Sequence, residues 1–217
     1  MLVDTHCHLD VGEFDADRGA VVARARAAGV MAQVLPAIDH AGWPGLRDAC
    51  AAYEGLHAAY GLHPMFLSAH QPAHLDALEA WIARERPVAV GECGLDFFVE
   101  GLDRHAQEHY FDAQLAIARA QGLPVIVHAR RAVEAVIAAF RRHPGIRGVV
   151  HSYGGSVEQA RRLWDLGIHL GIGGPVTYPR ANTVRRVAAT IPIEQLLLET
   201  DAPDQPLSTH RGERNEP

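Results

Sequence analysis

The sequence predicts an α/β fold in which eight parallel strands and their intervening helices close into a (β/α)8 barrel. The chain has 217 residues, 48% of them hydrophobic, which suits one well-packed domain over residues 1–217. Short apolar runs alternate with segments of helical periodicity along nearly the whole chain. Metal-competent side chains follow several of these runs, as expected at the carboxyl ends of parallel strands. An open doubly wound sheet is the alternative fold.

The first predicted strand runs from Val3 to Asp10 and carries His6 and His8. Alternate side chains of an extended chain share a face, so the two imidazoles point together and Cys7 points away. A chain with 14 histidines contains about one His-x-His pair by chance, so the pair alone is weak evidence for a metal site.

The following elements alternate regularly between helix and strand. In the first half we expect helices over residues 18–28, 41–53 and 73–84, and strands over residues 30–37, 56–60 and 88–92. In the second half we expect helices over residues 104–121, 132–143, 157–166 and 183–190, and strands over residues 124–128, 148–151, 169–172 and 196–199. Ser156 and Gln159 predict a capping box before the sixth helix, and Gly167 ends that helix.

The predicted barrel lacks the helix that should follow strand eight, because the chain stops at Pro217. A missing helix leaves apolar surface on strands eight and one, of the order of several hundred Å². We expect either a truncated chain or a homo-oligomer in which a partner subunit covers this flank.

Composition narrows the functional classes. The net charge of −6 argues against a broad basic surface for nucleic acid, so a phosphorylated substrate must be held locally. All 20 basic residues are arginines, which excludes Schiff-base lysines and carbamylated-lysine metal bridges. The sequence has no apolar run long enough for a membrane span, and its three cysteines do not form a disulfide framework. We expect a cytoplasmic protein.

Six metal-competent side chains should meet at one rim of the barrel. His6 and His8 leave strand one, Glu92 ends strand four, and the others end or follow strands five, six and eight: His128, His151 and Asp201. Four imidazoles and two carboxylates exceed the usual ligand set of one catalytic zinc. Two divalent ions that share a carboxylate fit better, and such a pair can activate water and neutralise charge on a phosphoryl group.

Several strings of the chain together resemble the TatD family of metal-dependent hydrolases, also called TatD DNases. The strings are DTHCHLD, GLHP, GECGLDFF, QLAIARAQGLPVIVHAR, HSYGG and LLLETDAP, and the resemblance runs from Asp4 to the last residue. It departs from the family at the tail, because family members usually continue past RNEP with a further helix.

The resemblance implies a ligand set and a reaction. His6, His8, Glu92 and Asp201 would hold one divalent ion, and His128 with His151 would hold the second, with Glu92 bridging. The reaction would be hydrolysis of phosphodiester bonds in DNA, commonly as an exonuclease acting on strand ends or single strands. The mixture of imidazole and carboxylate ligands admits Mg, Mn or Zn as the metal and does not single out one of them. Asp201 would also orient or deprotonate the attacking water.

Three softer candidates lie near this set. His63, in GLHP, is either a support or phosphate contact, or a packed histidine. Arg130, two residues past His128, is either a phosphate contact or a solvated loop cation. Asp96 either supports the Glu92 loop or occupies a turn.

Two other functions remain open. One is an amidohydrolase or lactonase that opens a C–N or C–O bond in a small molecule, although many two-metal members of that group need a carbamylated lysine. The other is a metal-stabilised barrel without catalysis that acts as a partner protein. Metal loading and turnover distinguish these functions from a nuclease.

Overall fold

The computed structural model describes residues 1–217 and contains one eight-stranded parallel sheet in the order β1 to β8. The strands are β1 (Leu2–Asp4), β2 (Val30–Pro36), β3 (Leu56–Tyr60), β4 (Ala89–Asp96), β5 (Val125–Arg130), β6 (Gly148–Val150), β7 (Ile168–Ile172) and β8 (Leu196–Leu198). The helices are α1 (Arg18–Ala27), α2 (Trp43–Ala52), α3 (Ala73–Glu85), α4 (Arg104–Gln121), α5 (Val133–Arg142), α6 (Val157–Asp165) and α7 (Asn182–Thr190). Strands that pair in chain order with helices between them confirm the (β/α)8 barrel over the open sheet.

The barrel closes between β8 and β1 through hydrogen bonds that lie outside the regular ladders. Thr5 N donates to Leu198 O at 3.0 Å, Asp201 N donates to His6 O at 2.8 Å, and His8 N donates to Ala202 O at 2.7 Å. Buried backbone groups need partners, so this seam fixes the path of both segments. The seam therefore places the residues after β1 directly against the residues after β8.

The first strand is shorter than the sequence predicts, because β1 ends at Asp4 and not at Asp10. Beyond Asp4 the backbone bonds to two neighbours in turn: Cys7 N donates to Val34 O of β2 at 3.1 Å, and His8 N donates across the seam. Because successive backbone N–H groups bond to different neighbouring segments, this stretch does not form a regular strand ladder. Cys7 is nevertheless fully buried and belongs to the hydrophobic core, as the sequence predicts for a small core residue.

Two central strands are longer than expected. We predicted that β4 ends at Glu92 and β5 at His128, but the ladder between them continues to the pair Asp96 and Arg130. The reason is mutual pairing, which a single-sequence pattern does not contain. The capping box at α6 is confirmed: Ser156 Oγ accepts from Gln159 N at 3.1 Å, and Gln159 Oε1 accepts from Ser156 N at 2.8 Å.

The flank after β8 carries exposed apolar side chains. Ile193 is 73% exposed, Leu198 59% and Leu2 47%. The residues after β8 form one short 3-10 turn, Ser208–His210. The tail then returns to α1, where Arg214 pairs with Asp17. No helix of the protein has the length and apolar character needed to cross a membrane.

Candidate active site

A cleft of about 1320 Å³ opens at the carboxyl ends of the strands and contains most of the residues singled out from the sequence. His8, His63, Glu92, His128, Arg130, His151 and Asp201 line it. His6 lies beneath the surface of the cleft and is fully buried. The structure therefore brings these eight of the nine candidate residues to one end of the barrel, and Asp96, the ninth, contacts His128 there.

Glu92 occupies the centre of the site because β4 is irregular there. The ladder between β4 and β5 shifts register between Val90 and Cys93, and Glu92 N donates sideways to Ala37 O at 2.9 Å. An irregularity of this kind redirects a side chain, and it is common beside active sites. The carboxylate of Glu92 is buried and is surrounded by imidazoles.

One oxygen of Glu92 faces the residues of the closing seam. Glu92 Oε2 lies 3.2 Å from His6 Nε2 and 3.8 Å from His8 Nε2. Asp201 Oδ1 lies 3.4 Å from His6 Nε2 and 3.6 Å from His8 Nε2, and the two imidazole nitrogens are 3.2 Å apart. We call this group of His6, His8, Asp201 and Glu92 Oε2 the seam cage.

The other oxygen of Glu92 faces β5 and β6. Glu92 Oε1 lies 2.9 Å from His151 Nε2 and 3.3 Å from His128 Nδ1, and these two nitrogens are 3.4 Å apart. We call the group of His128, His151 and Glu92 Oε1 the β5–β6 cage. His63 Nε2 also lies 3.0 Å from Glu92 Oε1.

Hydrogen bonds fix which imidazole nitrogen is free to bind a cation. His128 Nε2 lies 2.8 Å from Asp96 Oδ2, so it carries the proton and leaves a lone pair on Nδ1, inside the cage. His63 is the reverse case: its Nδ1 accepts from Met65 N at 3.1 Å, so its proton lies on Nε2. His128 can thus act as a ligand through Nδ1, whereas His63 carries its proton on Nε2, which lies 3.0 Å from Glu92 Oε1.

The charges in the cages depend on one another. Burial opposes ionisation of Glu92, but the charges of His63, His151 and His6 outweigh it and hold the pKa of Glu92 well below its usual range. Burial also opposes the charged form of His151, yet the adjacent Glu92 carboxylate raises its pKa to about 10. Burial dominates at His6 and lowers its pKa to about 4. The metal-free site is a buried network of mixed charge.

The donor set fits divalent cations. Imidazole nitrogens and carboxylate oxygens from separate strands converge within hydrogen-bond distance, and groups of His6, His8 and Glu92 and of His63, Glu92 and His128 come close enough to surround an ion. Buried atoms such as His6 Nδ1 and Glu92 Oε1 have no conventional hydrogen-bond partner. Because His63 is protonated at Nε2, we place it outside the ligand set.

Asp96 supports a site residue and is more than a turn residue. Its Oδ1 accepts from Phe98 N at 2.8 Å and Val99 N at 3.0 Å, while its Oδ2 faces His128. The two backbone N–H groups of the turn hold the Asp96 carboxylate in place, and the carboxylate in turn orients the imidazole of His128. Asp96 thus combines the turn role with a support role, which acts on His128 rather than on the Glu92 loop.

Sequence analysis missed two further buried acids. Asp4 accepts from His6 N at 3.1 Å and from Thr200 Oγ1 at 2.5 Å, so it joins β1 to the segment after β8. Glu199 accepts from Ser152 N at 2.5 Å, and its Oε1 lies 3.9 Å from His151 Nδ1. Burial raises the pKa of Asp4 to about 6 and that of Glu199 to about 8. Glu199 could have been found, because it ends predicted strand eight as His128 ends predicted strand five.

Two arginines form a cationic wall of the cleft. The guanidinium carbon of Arg130 lies 3.7 Å from the centre of the Phe98 ring, and that of Arg131 lies 4.6 Å from it. Both side chains stack on an aromatic ring and remain exposed to the cleft. Sequence analysis identified Arg130 only.

The chain is similar to proteins of one family along nearly its whole length. A family model described as TatD related DNase matches residues 3–217. The chain is 41% identical to the Escherichia coli K12 uncharacterized metal-dependent hydrolase YjjV over 99% of this chain and 84% of that protein. The crystal structure of YjjV matches with a TM-score of 0.95 over 100% of this chain and 85% of that chain. A Klebsiella pneumoniae protein named 3'-5' ssDNA/RNA exonuclease TatD is 35% identical over 93% of this chain and 78% of its own length. The chain belongs to the TatD family of metal-dependent hydrolases.

Proposed function

We propose that this protein hydrolyses phosphodiester bonds at the ends of nucleic acid strands, above all single-stranded DNA, with two divalent cations. The observation that carries the proposal is the division of Glu92 between two cages: Oε2 lies 3.2 Å from His6 Nε2, and Oε1 lies 2.9 Å from His151 Nε2. A carboxylate with ligand groups on both sides suits a bridging role between two cations. The name of the Klebsiella relative supports the substrate class.

The two cages would each hold one ion. His6, His8, Asp201 and Glu92 would hold the first, and Glu92, His128 and His151 the second, with Mg, Mn or Zn as candidates. When bound, such ions stabilise charge on phosphoryl oxygens and make water a better nucleophile. Side chains of this protein would orient the attacking water, donate a proton and bind the neighbouring phosphate.

Asp201 provides an ionised carboxylate beside the reacting atoms. Burial opposes its ionisation, but the hydrogen bond from His8 and the charge of His6 lower the pKa of Asp201 to about 2. Gln205 Nε2 donates to Asp201 Oδ2, which keeps Oδ1 directed at the seam cage. We infer that Asp201 Oδ1 orients the attacking water and accepts its proton.

His63 provides a proton donor on the opposite side. Its protonated Nε2 lies 3.0 Å from Glu92 Oε1, and the hydrogen bond from Met65 N to Nδ1 fixes the orientation of the ring. A phosphate oxygen that enters the cleft would meet the same N–H. We infer that His63 donates to a phosphate oxygen or to the leaving oxygen.

Arg130 and Arg131 supply positive charge at the cleft of a chain whose net charge is −6. Arg130 lies two residues past His128 on the same strand, so both point to one face about 6.6 Å apart. Their guanidinium groups are supported by Phe98 and face the cleft. We infer that they bind the phosphate next to the scissile one.

The proposal is tested with end-labelled single-stranded DNA. Metal-loaded protein should shorten the labelled strand stepwise, and chelation of the metal should stop the reaction. His128→Ala and Asp201→Asn should each lower kcat by about 100-fold or more, because each removes a group at the reacting atoms. Arg130→Ala should raise KM about tenfold, with a smaller effect at high salt.

His105→Ala is the matched control, because His105 is an exposed histidine at the start of α4 outside the cleft. Its activity should equal that of the wild type. The same preparations are assayed with a lactone and a cyclic amide. Turnover of those substrates without cleavage of DNA would replace the nuclease by the amidohydrolase or lactonase, and DNA cleavage unaffected by His128→Ala and Asp201→Asn would move the active site elsewhere.

We also propose that the chain acts as one catalytic domain in the cytoplasm. One hydrophobic core of 40 buried residues extends across the barrel. Cys7, Cys50 and Cys93 are free thiols, which fits a reducing compartment. Activity of this 217-residue chain, and its presence in the cytoplasmic fraction, test the two statements.

A further inference from the structure

Helix α4 presents two buried glutamines to the loops that support the β5–β6 cage. Gln107 and Gln114 are seven residues apart, which is about two helical turns, so they lie on one face of the helix. Gln107 is 1% exposed and Gln114 is fully buried. Buried glutamine amides need partners, and both side chains find them on the backbone of other elements.

Each glutamine binds both backbone groups of a single residue. Gln107 Oε1 accepts from Asp96 N at 2.7 Å, and Gln107 Nε2 donates to Asp96 O at 2.9 Å. Gln114 Oε1 accepts from Leu62 N at 2.8 Å, and Gln114 Nε2 donates to Leu62 O at 3.1 Å. Two opposed hydrogen bonds from one planar amide fix both position and orientation of the bound residue.

The two bound residues belong to one half of the active site. Leu62 immediately precedes His63, whose Nε2 contacts Glu92 Oε1. Asp96 Oδ2 accepts a hydrogen bond from His128 Nε2, and this bond directs His128 Nδ1 into the β5–β6 cage. Displacement of Asp96 would therefore move His128 within that cage, and displacement of Leu62 would move His63 beside Glu92 Oε1.

The seam cage is held by other groups. His6 N donates to Asp4 Oδ1 at 3.1 Å, and the backbone of His6 and His8 bonds to Asp201 and Ala202. These supports come from β1 and the segment after β8. Loss of the hydrogen bonds from Gln107 and Gln114 should therefore disturb the β5–β6 cage more than the seam cage.

We propose that Gln107 and Gln114 are positioning residues that set the geometry of the β5–β6 cage and of His63, so that α4 controls the affinity for one of the two metal ions. The inference rests on the proposed two-metal site. Loss of a group that supports a ligand typically lowers metal affinity by about 10–100-fold, which is the expected size of the effect.

The test is titration of Co²⁺ into the metal-free full-length protein, followed by visible absorption and calorimetry. Wild-type protein should bind two Co²⁺ ions, and His128→Ala and His6→Ala should identify which signal belongs to which cage. Gln107→Met and Gln114→Met keep the side-chain length but remove both hydrogen bonds. Each should weaken the His128-dependent site by about 10–100-fold and leave the His6-dependent site unchanged.

Gln121→Met is the matched control, because Gln121 is exposed at the end of the same helix. It should change neither site. In the His128→Ala background, Gln107→Met should cause no further loss of metal affinity. If the methionine variants do not fold, Gln107→Glu and Gln114→Glu replace them, and the same selective loss is expected at smaller size.

The proposal would be overturned if the methionine variants lost Co²⁺ affinity equally at both sites, or if folded variants kept the wild-type affinity at both. It would also be overturned if the wild-type protein bound fewer than two ions. The metal titration does not depend on turnover. Absence of DNA cleavage with normal two-site binding would therefore refute the proposed nuclease while leaving the positioning role intact.

Discussion

Replacement of Asp96 by asparagine should move the imidazole proton of His128 from Nε2 to Nδ1. Asp96 Oδ1 accepts from two backbone N–H groups, of Phe98 at 2.8 Å and Val99 at 3.0 Å. An asparagine must keep its oxygen at that position, because its NH2 group would face two donors there. The NH2 group then faces His128 Nε2, which lies 2.8 Å from the present carboxylate oxygen. His128 can accept this bond only if its proton moves to Nδ1, the nitrogen inside the β5–β6 cage.

The magnitude follows from the bonds that change. In the wild type, His128 Nε2–H donates to the charged Asp96 carboxylate while Nδ1 is free for a metal. In the variant the proton must return to Nε2, where the NH2 group of asparagine cannot accept it, so this charge-assisted hydrogen bond is missing, which costs about 1.5–3 kcal/mol. At about 1.4 kcal/mol for each factor of ten, the affinity of that site should fall by about 10–100-fold. The fold should be retained, because both backbone hydrogen bonds to residue 96 remain.

Metal titration and ¹⁵N NMR of the histidine ring measure the two consequences separately. Asp96→Asn should weaken one metal site and should show the His128 proton on Nδ1 in the metal-free protein. Asp103→Asn is the control, because Asp103 caps α4 and asparagine caps a helix equally well. Metal affinity within about threefold of wild type, together with a proton still on Nε2, would refute the tautomer argument.

Three further predictions concern protons, backbone and assembly. Metal binding at pH 7 should release about two protons, because nearby carboxylates raise the pKa of His8 to about 8 and of His151 to about 10 against the effect of burial. The apparent metal affinity should therefore rise as the pH is raised from about 7 through the pKa values of these two histidines. Calorimetry in buffers of different ionisation enthalpy counts the released protons. Release of no protons would contradict the prediction. Gly94→Ala should lower the free energy of unfolding by about 2–4 kcal/mol, since its φ is +130° and a β-carbon would overlap a β5 carbonyl. Gly101→Ala, at φ +83° with open space around it, should cost only about 1–2 kcal/mol in the same denaturant titration; equal losses would remove the steric argument. The exposed flank around Leu198 predicts a homo-oligomer that Leu198→Asp dissociates in light scattering, and a monomeric wild-type chain would show the prediction to be wrong.

The predicted strands and helices agree closely with the structure where local chemistry defines their ends. The helix over residues 104–121 and the strand over residues 56–60 have the predicted bounds. Glycine ends and the Ser156 cap are local signals, so the sequence alone contains them. The end of β1 and the continuation of β4 depend on pairing with distant segments, so the predicted bounds were wrong there.

The prediction that six side chains share one rim needs only the rule that parallel strands end on the same side. Their arrangement around Glu92 depends on the register shift in β4, which no local pattern encodes. The roles of Asp96 and His63 likewise depend on hydrogen bonds from Phe98, Val99 and Met65, because these bonds decide which imidazole nitrogen carries the proton.

The sequence by itself determined the alternation of strands and helices and the list of metal-competent side chains, because periodicity, caps and residue chemistry are local properties. Only the tertiary structure decided which oxygen of Glu92 faces which imidazole, and that Gln107 and Gln114 bind the backbone of Asp96 and Leu62. These contacts join residues from different turns of the barrel. They form because closure of the barrel buries these polar groups, and buried polar groups need hydrogen-bond partners.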